Sequence, residues 1–189
     1  MRRLGCGILP LLLLAVGTVV QAQEDEGYFE VRSASAELVS DVYFLNASIE
    51  YQLSTEARQA LQSGLPLTIR LEVELLNRRR FWVDTENARL TQLYQLEYHS
   101  LSERYIARNI NSGELRTFVS LASALNFLGR VDGLPVIDID LLEPERRYDI
   151  RLRALLDTEQ LPGPLRLLAF WRRDWSLGSD WYRWRLEDE

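Results

Sequence analysis

The chain has 189 residues, of which 28 are acidic and 22 basic, and its net charge is −6. This acidic balance argues against nucleic acid or an anionic membrane as the main partner. With 47% hydrophobic residues, the chain is long enough to form one domain around a substantial core.

The N-terminal segment has the pattern of a signal peptide. Arg2 and Arg3 precede an apolar run over residues 8–20, and small or apolar residues occupy the positions before Gln23 that a signal peptidase reads. The run is shorter than the roughly 20 residues that span a bilayer, although an uncleaved signal anchor is the alternative. We therefore expect residues 1–22 to be removed on export and the protein to be periplasmic, with no membrane span afterwards.

The remaining chain is expected to form an acidic leader over residues 23–27 and a single domain over residues 28–189. The only cysteine, Cys6, belongs to the predicted signal peptide. The mature chain would therefore contain no disulfide and no thiol chemistry, and its core alone would hold the fold.

A β-hairpin is the first predicted element of the domain. Apolar and polar residues alternate over residues 28–38, and Ser40 and Asp41 are typical of a turn. The strand that follows has the clearest period of two in the chain. Its apolar face consists of Tyr43, Leu45, Ala47, Ile49, Tyr51 and Leu53.

A short helix and two strands are predicted next. Ser54 is a typical N-cap and Gly64 a typical residue after the last turn, so the helix lies between them. Residues 67–75 alternate as a strand, and residues 81–83 begin another short strand. The three arginines at residues 78–80 are interpreted as a solvated turn in preference to an anion site.

The stretch over residues 88–108 is predicted to contain a strand, a corner and a second strand. The apolar face of the first strand consists of Ala88, Leu90, Tyr94, Leu96 and Tyr98. His99, the only histidine, falls on the opposite, polar face and is followed by a polar corner at residues 100–103.

The second half of the chain contains further short strands and one clear helix. Ser120 and Gly129 delimit this helix in the same way as the first. Asp132 and Gly133 predict a turn, whereas residues 165–171 fit a helix and a strand equally well. Further strands are predicted over residues 115–119, 136–141, 148–156 and 182–186.

Eight or nine short strands with two short helices between them favour an antiparallel β-sandwich. A doubly wound sheet would need a helix after nearly every strand. We therefore predict a mainly β fold in which two antiparallel sheets pack together.

The sequence contains no recognisable catalytic or metal-binding motif. His99 lacks the companion ligands of a zinc site, and its neighbours Ser100 and Ser102 belong to no nucleophile-elbow motif. Asp138 and Asp140 alternate on a predicted strand, where a solvated face is favoured over calcium binding. We therefore predict no enzymatic activity, no metal and no cofactor, and interpret His99 as a surface residue.

The C-terminal tail is the best candidate for a binding surface. Tryptophan and arginine dominate binding hot spots, and both are concentrated there. The candidate partner-binding residues are Trp175, Trp181, Trp184, Arg172, Arg173 and Arg183. Core packing is nevertheless the favoured interpretation of most of the tryptophans, because a fold without disulfides needs large buried aromatic side chains, and only part of the cluster is expected to be exposed.

Several local patterns together resemble one protein family. They are Leu96-Glu97-Tyr98 with Leu101-Ser102 and Tyr105, Leu156-Asp157 followed by Leu161-Pro162-Gly163-Pro164-Leu165, and Trp175-Ser176-Leu177 with Ser179 and Trp181. Over nearly all of the mature chain, the sequence resembles an exported family of Gram-negative bacteria known as domain of unknown function 4390. The resemblance implies no activity and no catalytic residues, but it implies an envelope protein such as a sensor kinase as the partner.

The predicted function is a non-enzymatic binding or accessory module of the cell envelope, linked to envelope signalling. A hydrolase of envelope carbohydrate or lipid is one alternative, although its catalytic carboxylates are not identifiable from the sequence. A structural component of the envelope is the other alternative.

If His99 is a surface residue without a catalytic role, the substitution His99→Ala should leave the thermal unfolding temperature and any deletion phenotype unchanged. The variant would be expressed in a deletion strain and compared with the wild-type gene. Loss of the phenotype by a stably folded His99→Ala protein would contradict the prediction and support catalysis.

Overall fold

The computed structural model describes residues 26–77, 85–144 and 146–186. These residues form two antiparallel sheets, one of three strands and one of six. The strands are β1 (Tyr28–Val39), β2 (Val42–Gln52), β3 (Leu67–Asn77), β4 (Thr85–His99), β5 (Arg104–Asn109), β6 (Leu115–Phe118), β7 (Arg130–Asp138), β8 (Tyr148–Leu156) and β9 (Tyr182–Arg185). The helices are α1 (Thr55–Gln62), α2 (Leu121–Leu128) and α3 (Gly163–Trp171).

The two sheets form a sandwich, which confirms the predicted fold class. The strand order is β1-β2-β7 in the small sheet and β6-β5-β4-β3-β8-β9 in the large one. Strand β1 of the small sheet lies against β8 and β9 of the large sheet. Alternation explains this architecture, because each strand turns its apolar residues toward the facing sheet.

The core is most complete around β3, which pairs with β4 on one side and with β8 on the other. Leu71 and Val73 on the inner face of β3 are almost fully buried, as are Ile150 and Leu152 on β8. Leu96 of β4 is also fully buried, so the predicted apolar face of this strand does contribute to the core. Tyr98 at the end of the same face is only partly buried, with its ring centroid 4.9 Å from that of Tyr105.

The predicted hairpin and both predicted helices are confirmed. Ser40 and Asp41 form the two-residue turn between β1 and β2, and both adopt positive φ angles of 48° and 68°. Ser54 accepts a hydrogen bond from the amide of Ala57 and so caps α1. Gly64 follows the helix with a φ of 87°, a conformation that glycine adopts at little cost.

The structure differs from the sequence-based assignment around β7. Asp132 and Gly133 lie within this strand and not in a turn before it. The two residues lie at an irregularity in the pairing of β7 with β2. Gly133 has a φ of 62° there, and its amide donates a hydrogen bond to Oδ1 of Asn46 at 2.8 Å. A turn-forming Asp-Gly pair can therefore produce a bulge when the strands on both sides of it stay paired to the same neighbour.

The prediction that Asp138 and Asp140 project from one face of a strand is also wrong. Strand β7 ends at Asp138, and Asp140 belongs to a short 3-10 turn over Ile139–Leu141. The Asp138 carboxylate accepts the amide of Asp140 at 2.9 Å, so it caps this turn. Residues 165–171, which the sequence left undecided, lie in α3, a third helix.

Several predictions lie outside the described residues. They concern the signal peptide over residues 1–22, most of the acidic leader, the arginines at residues 78–80 and the short strand over residues 81–83. Among the described helices, none is long and apolar enough to cross a membrane.

Because Leu71 is fully buried at the centre of the large sheet, Leu71→Ala should lower the free energy of unfolding by about 3 to 5 kcal/mol. The matched control is Leu101→Ala, since Leu101 is 93% exposed in the corner between β4 and β5. Urea unfolding followed by tryptophan fluorescence measures both values. Equal effects of the two substitutions would contradict the assigned core.

Candidate binding face

The outer face of the six-stranded sheet carries a regular array of charged side chains. On β3, Arg70, Glu72 and Glu74 alternate with the inward-facing leucine and valine residues and point away from the core. The register places Thr91 and Arg153 beside Glu72 on the neighbouring strands. We call the group formed by Arg70, Arg89, Arg151, Arg153, Arg183 and Trp181 the arginine face.

Two buried carboxylates of β3 form the centre of this array. Glu74 is 1% exposed, and its Oε2 accepts a hydrogen bond from Nε of Arg151 at 2.6 Å. Its Oε1 forms an ion pair with Nη2 of Arg89 at 2.7 Å. Glu72 is buried as well and binds Nε and Nη2 of Arg153 at 2.7 and 2.6 Å. Each carboxylate therefore has an arginine from a neighbouring strand, as a buried charge requires.

The array is completed at both ends by further buried carboxylates. Asp157, directly after β8, binds Nη2 of Arg70 at 2.6 Å. Partial burial by itself would lower the pKa of the Arg70 guanidinium, but the Asp157 bond and the nearby charges of Glu159 and Glu72 raise it. At the other end, Asp149 binds Nε and Nη2 of Arg183 from β9 at 2.8 and 2.7 Å.

Trp181 covers the middle of the arginine face. The guanidinium carbons of Arg151 and Arg153 lie 4.2 and 4.4 Å from the centroid of its ring, which is the geometry of a cation–π contact. The segment before β9 holds Trp181 there, because Ser179 exchanges hydrogen bonds with the backbone of Ala154. The indole and the two guanidiniums thus form one stacked, partly exposed surface.

The arginine face has the chemistry of a binding surface. Its arginine side chains are between 25% and 47% exposed, so each side chain is partly accessible to solvent while a buried carboxylate fixes its guanidinium. Guanidinium groups donate to carboxylates, peptide carbonyls and hydroxyl groups, which are the groups that a partner protein presents. The carboxylates of Glu72 and Glu74 beneath this surface are engaged by arginine.

The six residues predicted from the tail do not form one cluster. Arg183 lies on the arginine face beside Trp181. Trp175 is 5% exposed and packs within the core, in line with the favoured interpretation of the tail tryptophans. Trp184 is partly buried on the inner face of β9, with its ring centroid 6.0 Å from that of Tyr182.

The other two predicted arginines lie outside the arginine face. Arg172 directly follows α3 and Arg173 begins the 3-10 turn over Arg173–Trp175, and both are exposed. Arg172 forms an ion pair with Asp174 at 3.3 Å and lies 3.8 Å from Glu56 of α1. The contact with Glu56 joins the tail to the first helix.

Sequence reasoning missed most of the arginine face. The residues concerned are Arg70, Glu72 and Glu74 on β3, Arg89 on β4, and Arg151 and Arg153 on β8. The sequence did contain a signal for this face. The polar face of β3 carries two acidic residues, and the polar face of β8 carries two arginines. Opposite charges directly across a strand pair stabilise it, but the pairing of β3 with β8 spans a long stretch of sequence.

The structure places His99 at the exposed end of β4. Its Nδ1 lies 3.0 Å from Oγ of Ser102 in the adjoining corner. Within residues 26–77, 85–144 and 146–186, no three His, Cys, Asp or Glu side chains are placed to hold a metal ion. The contact of His99 with Ser102 is thus one between neighbours in a surface turn.

Comparison with known families gives one match. The model of the family described as domain of unknown function DUF4390 matches residues 26–185. No curated protein and no solved structure matches the chain.

Replacing the carboxylate of Glu74 by an amide should destabilise the fold, because Arg89 and Arg151 would lose their charged partner in a buried position. For Glu74→Gln we expect a loss of about 2 to 3 kcal/mol in the free energy of unfolding, moderated by the partial exposure of both arginines.

Glu114→Gln is the control for this substitution. Glu114 forms an exposed ion pair with Arg116 at 2.9 Å, and loss of such a pair costs about 0 to 1 kcal/mol. Urea unfolding at neutral pH provides the comparison. A Glu74→Gln protein as stable as Glu114→Gln would mean that the network does not bind the strands together.

Proposed function

The chain belongs to the DUF4390 family, and we propose that it is an exported, non-enzymatic binding module of the bacterial envelope that contacts a partner protein through the arginine face. The observation that carries this proposal is the stacking of Trp181 on Arg151 and Arg153, whose guanidiniums are held from below by buried Glu74 and Glu72.

The fixed arginines favour tight contact with a partner. A free arginine loses considerable side-chain entropy when it is immobilised at an interface. On the arginine face, the buried carboxylates have already restricted these side chains, so a partner finds the donors in place. Tryptophan and arginine are also the residue types most enriched at interface hot spots.

The charge of the arginine face suits a protein better than a highly charged polymer. Its five arginines are balanced by the buried carboxylates of Glu72, Glu74, Asp149 and Asp157. Such a near-neutral surface of oriented donors and one indole favours directional hydrogen bonds over long-range attraction.

The envelope location rests on the N-terminal sequence. The basic start, the apolar run over residues 8–20 and the small residues that follow have the order of an export signal. The resemblance to an exported family of Gram-negative bacteria supports the same location and makes an envelope sensor kinase the first partner to test.

The binding function can be tested by site-specific photo-crosslinking in the native host. Benzoylphenylalanine in place of Trp181 should give a discrete crosslinked product with an envelope protein, which mass spectrometry identifies. The same group in place of Leu101, which is exposed in the corner between β4 and β5, should not give this product.

Crosslinking from position 181 that yields only the monomer under several growth conditions would contradict a protein partner. In that case, an envelope defect in the deletion strain with normal signalling would favour a structural component. A sugar or lipid hydrolysed by the purified protein would favour the hydrolase.

A further inference from the structure

The small sheet has an edge that is only partly covered. Strand β2 pairs with β1 along its whole length, but its pairing with β7 extends only from Val42 to Ser48. One further backbone hydrogen bond follows on the β7 side, in which the amide of Ile49 donates to the carbonyl of Gly129 at 2.7 Å. Beyond that point the chain turns back into α2 and leaves the edge of β2.

The backbone of Tyr51 points toward this uncovered side. Backbone groups of successive residues in a strand point to opposite neighbours, and the amide of Ile49 points toward β7. Two residues later, the N–H and C=O of Tyr51 therefore point the same way, past the start of β7. They form a donor and an acceptor of the kind that an added strand would pair with.

A groove of about 590 Å³ runs along this edge of β2. We call it the edge groove. One wall is α2, which contributes Leu121, Ala122 and Leu125, and Arg58 of α1 stands at the end near Leu53. The groove thus has a strand edge on one side, an apolar helix surface on the other and a basic group at one end.

The two arginines of the edge groove differ in their electrostatic environment. Arg32 is neutralised by Glu30 at 2.7 Å and by Glu50 at 2.6 Å. Arg58 donates to the neutral carbonyl of Leu53 at 3.2 Å, and no ion pair to it occurs in the described part of the chain. The edge groove therefore presents one positive charge that a carboxylate of a ligand can balance.

We propose that the edge groove binds an extended peptide segment of a partner protein as an added strand of the small sheet. The peptide backbone pairs with Tyr51, an apolar side chain packs against Leu121 and Leu125, and a carboxylate binds Arg58. This is the β-augmentation mode, in which main-chain hydrogen bonds supply affinity and alternate side chains supply specificity. The site lies on the small sheet and is independent of the arginine face.

The test uses linear peptides selected from a phage-displayed library on the chain over residues 23–189. Synthetic copies of an enriched peptide are titrated by fluorescence anisotropy. Ala122→Trp should weaken binding tenfold or more, because Ala122 is exposed and a tryptophan there fills the groove. Gln59→Trp, at an exposed position of α1 outside the groove, and Trp181→Ala, on the arginine face, should leave the affinity unchanged.

Two further measurements identify the binding mode. Methylation of the peptide amides one at a time should abolish binding at the amide that donates to the carbonyl of Tyr51 and not at the next amide along the peptide, which points away from β2. Arg58→Gln should weaken binding about tenfold, the cost of a charge-assisted hydrogen bond. Amidating the C-terminus of the peptide then distinguishes a terminal carboxylate from a side-chain one.

Four outcomes would overturn the proposal. A selection that enriches no peptide, or peptides that bind Ala122→Trp as tightly as the wild type, would show that the edge groove takes no added strand. A wild-type dimer in sedimentation that Ala122→Trp dissociates would assign the groove to a second copy of the chain. Equal loss of binding on methylation at every position would exclude strand pairing.

Discussion

Burial of Glu72 and Glu74 on the central strand of the large sheet is the constraint on which the rest of the outer face depends. A buried carboxylate is tolerated only when cations and donors surround it closely. Arginines from β4 and β8 provide these partners. The strands beside β3 must therefore present arginine at the matching positions, and the same arginines become the exposed surface of the sheet.

This network also selects the register of the large sheet. A shift of β3 by one residue would turn Glu72 and Glu74 into the apolar core and Leu71 and Val73 toward the arginines. Both halves of the strand pattern would then be lost at once. The ion pairs contribute less to net stability than to the choice of register. A buried ion pair stabilises a fold little more than apolar packing does, whereas an unpaired buried charge in a wrong register destabilises it strongly.

The two sheets offer different kinds of binding surface. The large sheet covers its central strand on both sides, so a partner meets side chains, above all Trp181 and the guanidiniums under it. The small sheet leaves the β7 side of β2 unpaired beyond Ile49 within the described residues, so a partner there meets the backbone of Tyr51. The close approach of Gly129 to Ile49, where an added Cβ would lie 2.1 Å from the carbonyl oxygen of Ile49, marks the start of β7 and the point at which the edge of β2 becomes uncovered.

Local signals in the sequence were sufficient for most of the strands and for two helices. Period-two alternation identified β2, β3, β4 and β8, and the serine caps with following glycines identified α1 and α2. The errors occurred where the same residues are favourable in two kinds of local structure. Asp132 and Gly133 suit a turn as well as a bulge, and only the pairing of β7 with β2 on both sides of them decides between the two.

The sequence by itself determined the elements and the fold class, because alternation and capping depend on residues a few positions apart. Only the tertiary structure decided which residues of the tail lie at the protein surface and which are buried. Trp175 lies in the core, whereas Trp181 lies over arginines of β8 that precede it by about 30 positions. Pairing between strands distant in sequence follows from the packing of the whole core, so the arginine face exists only once β3, β4, β8 and β9 have come together.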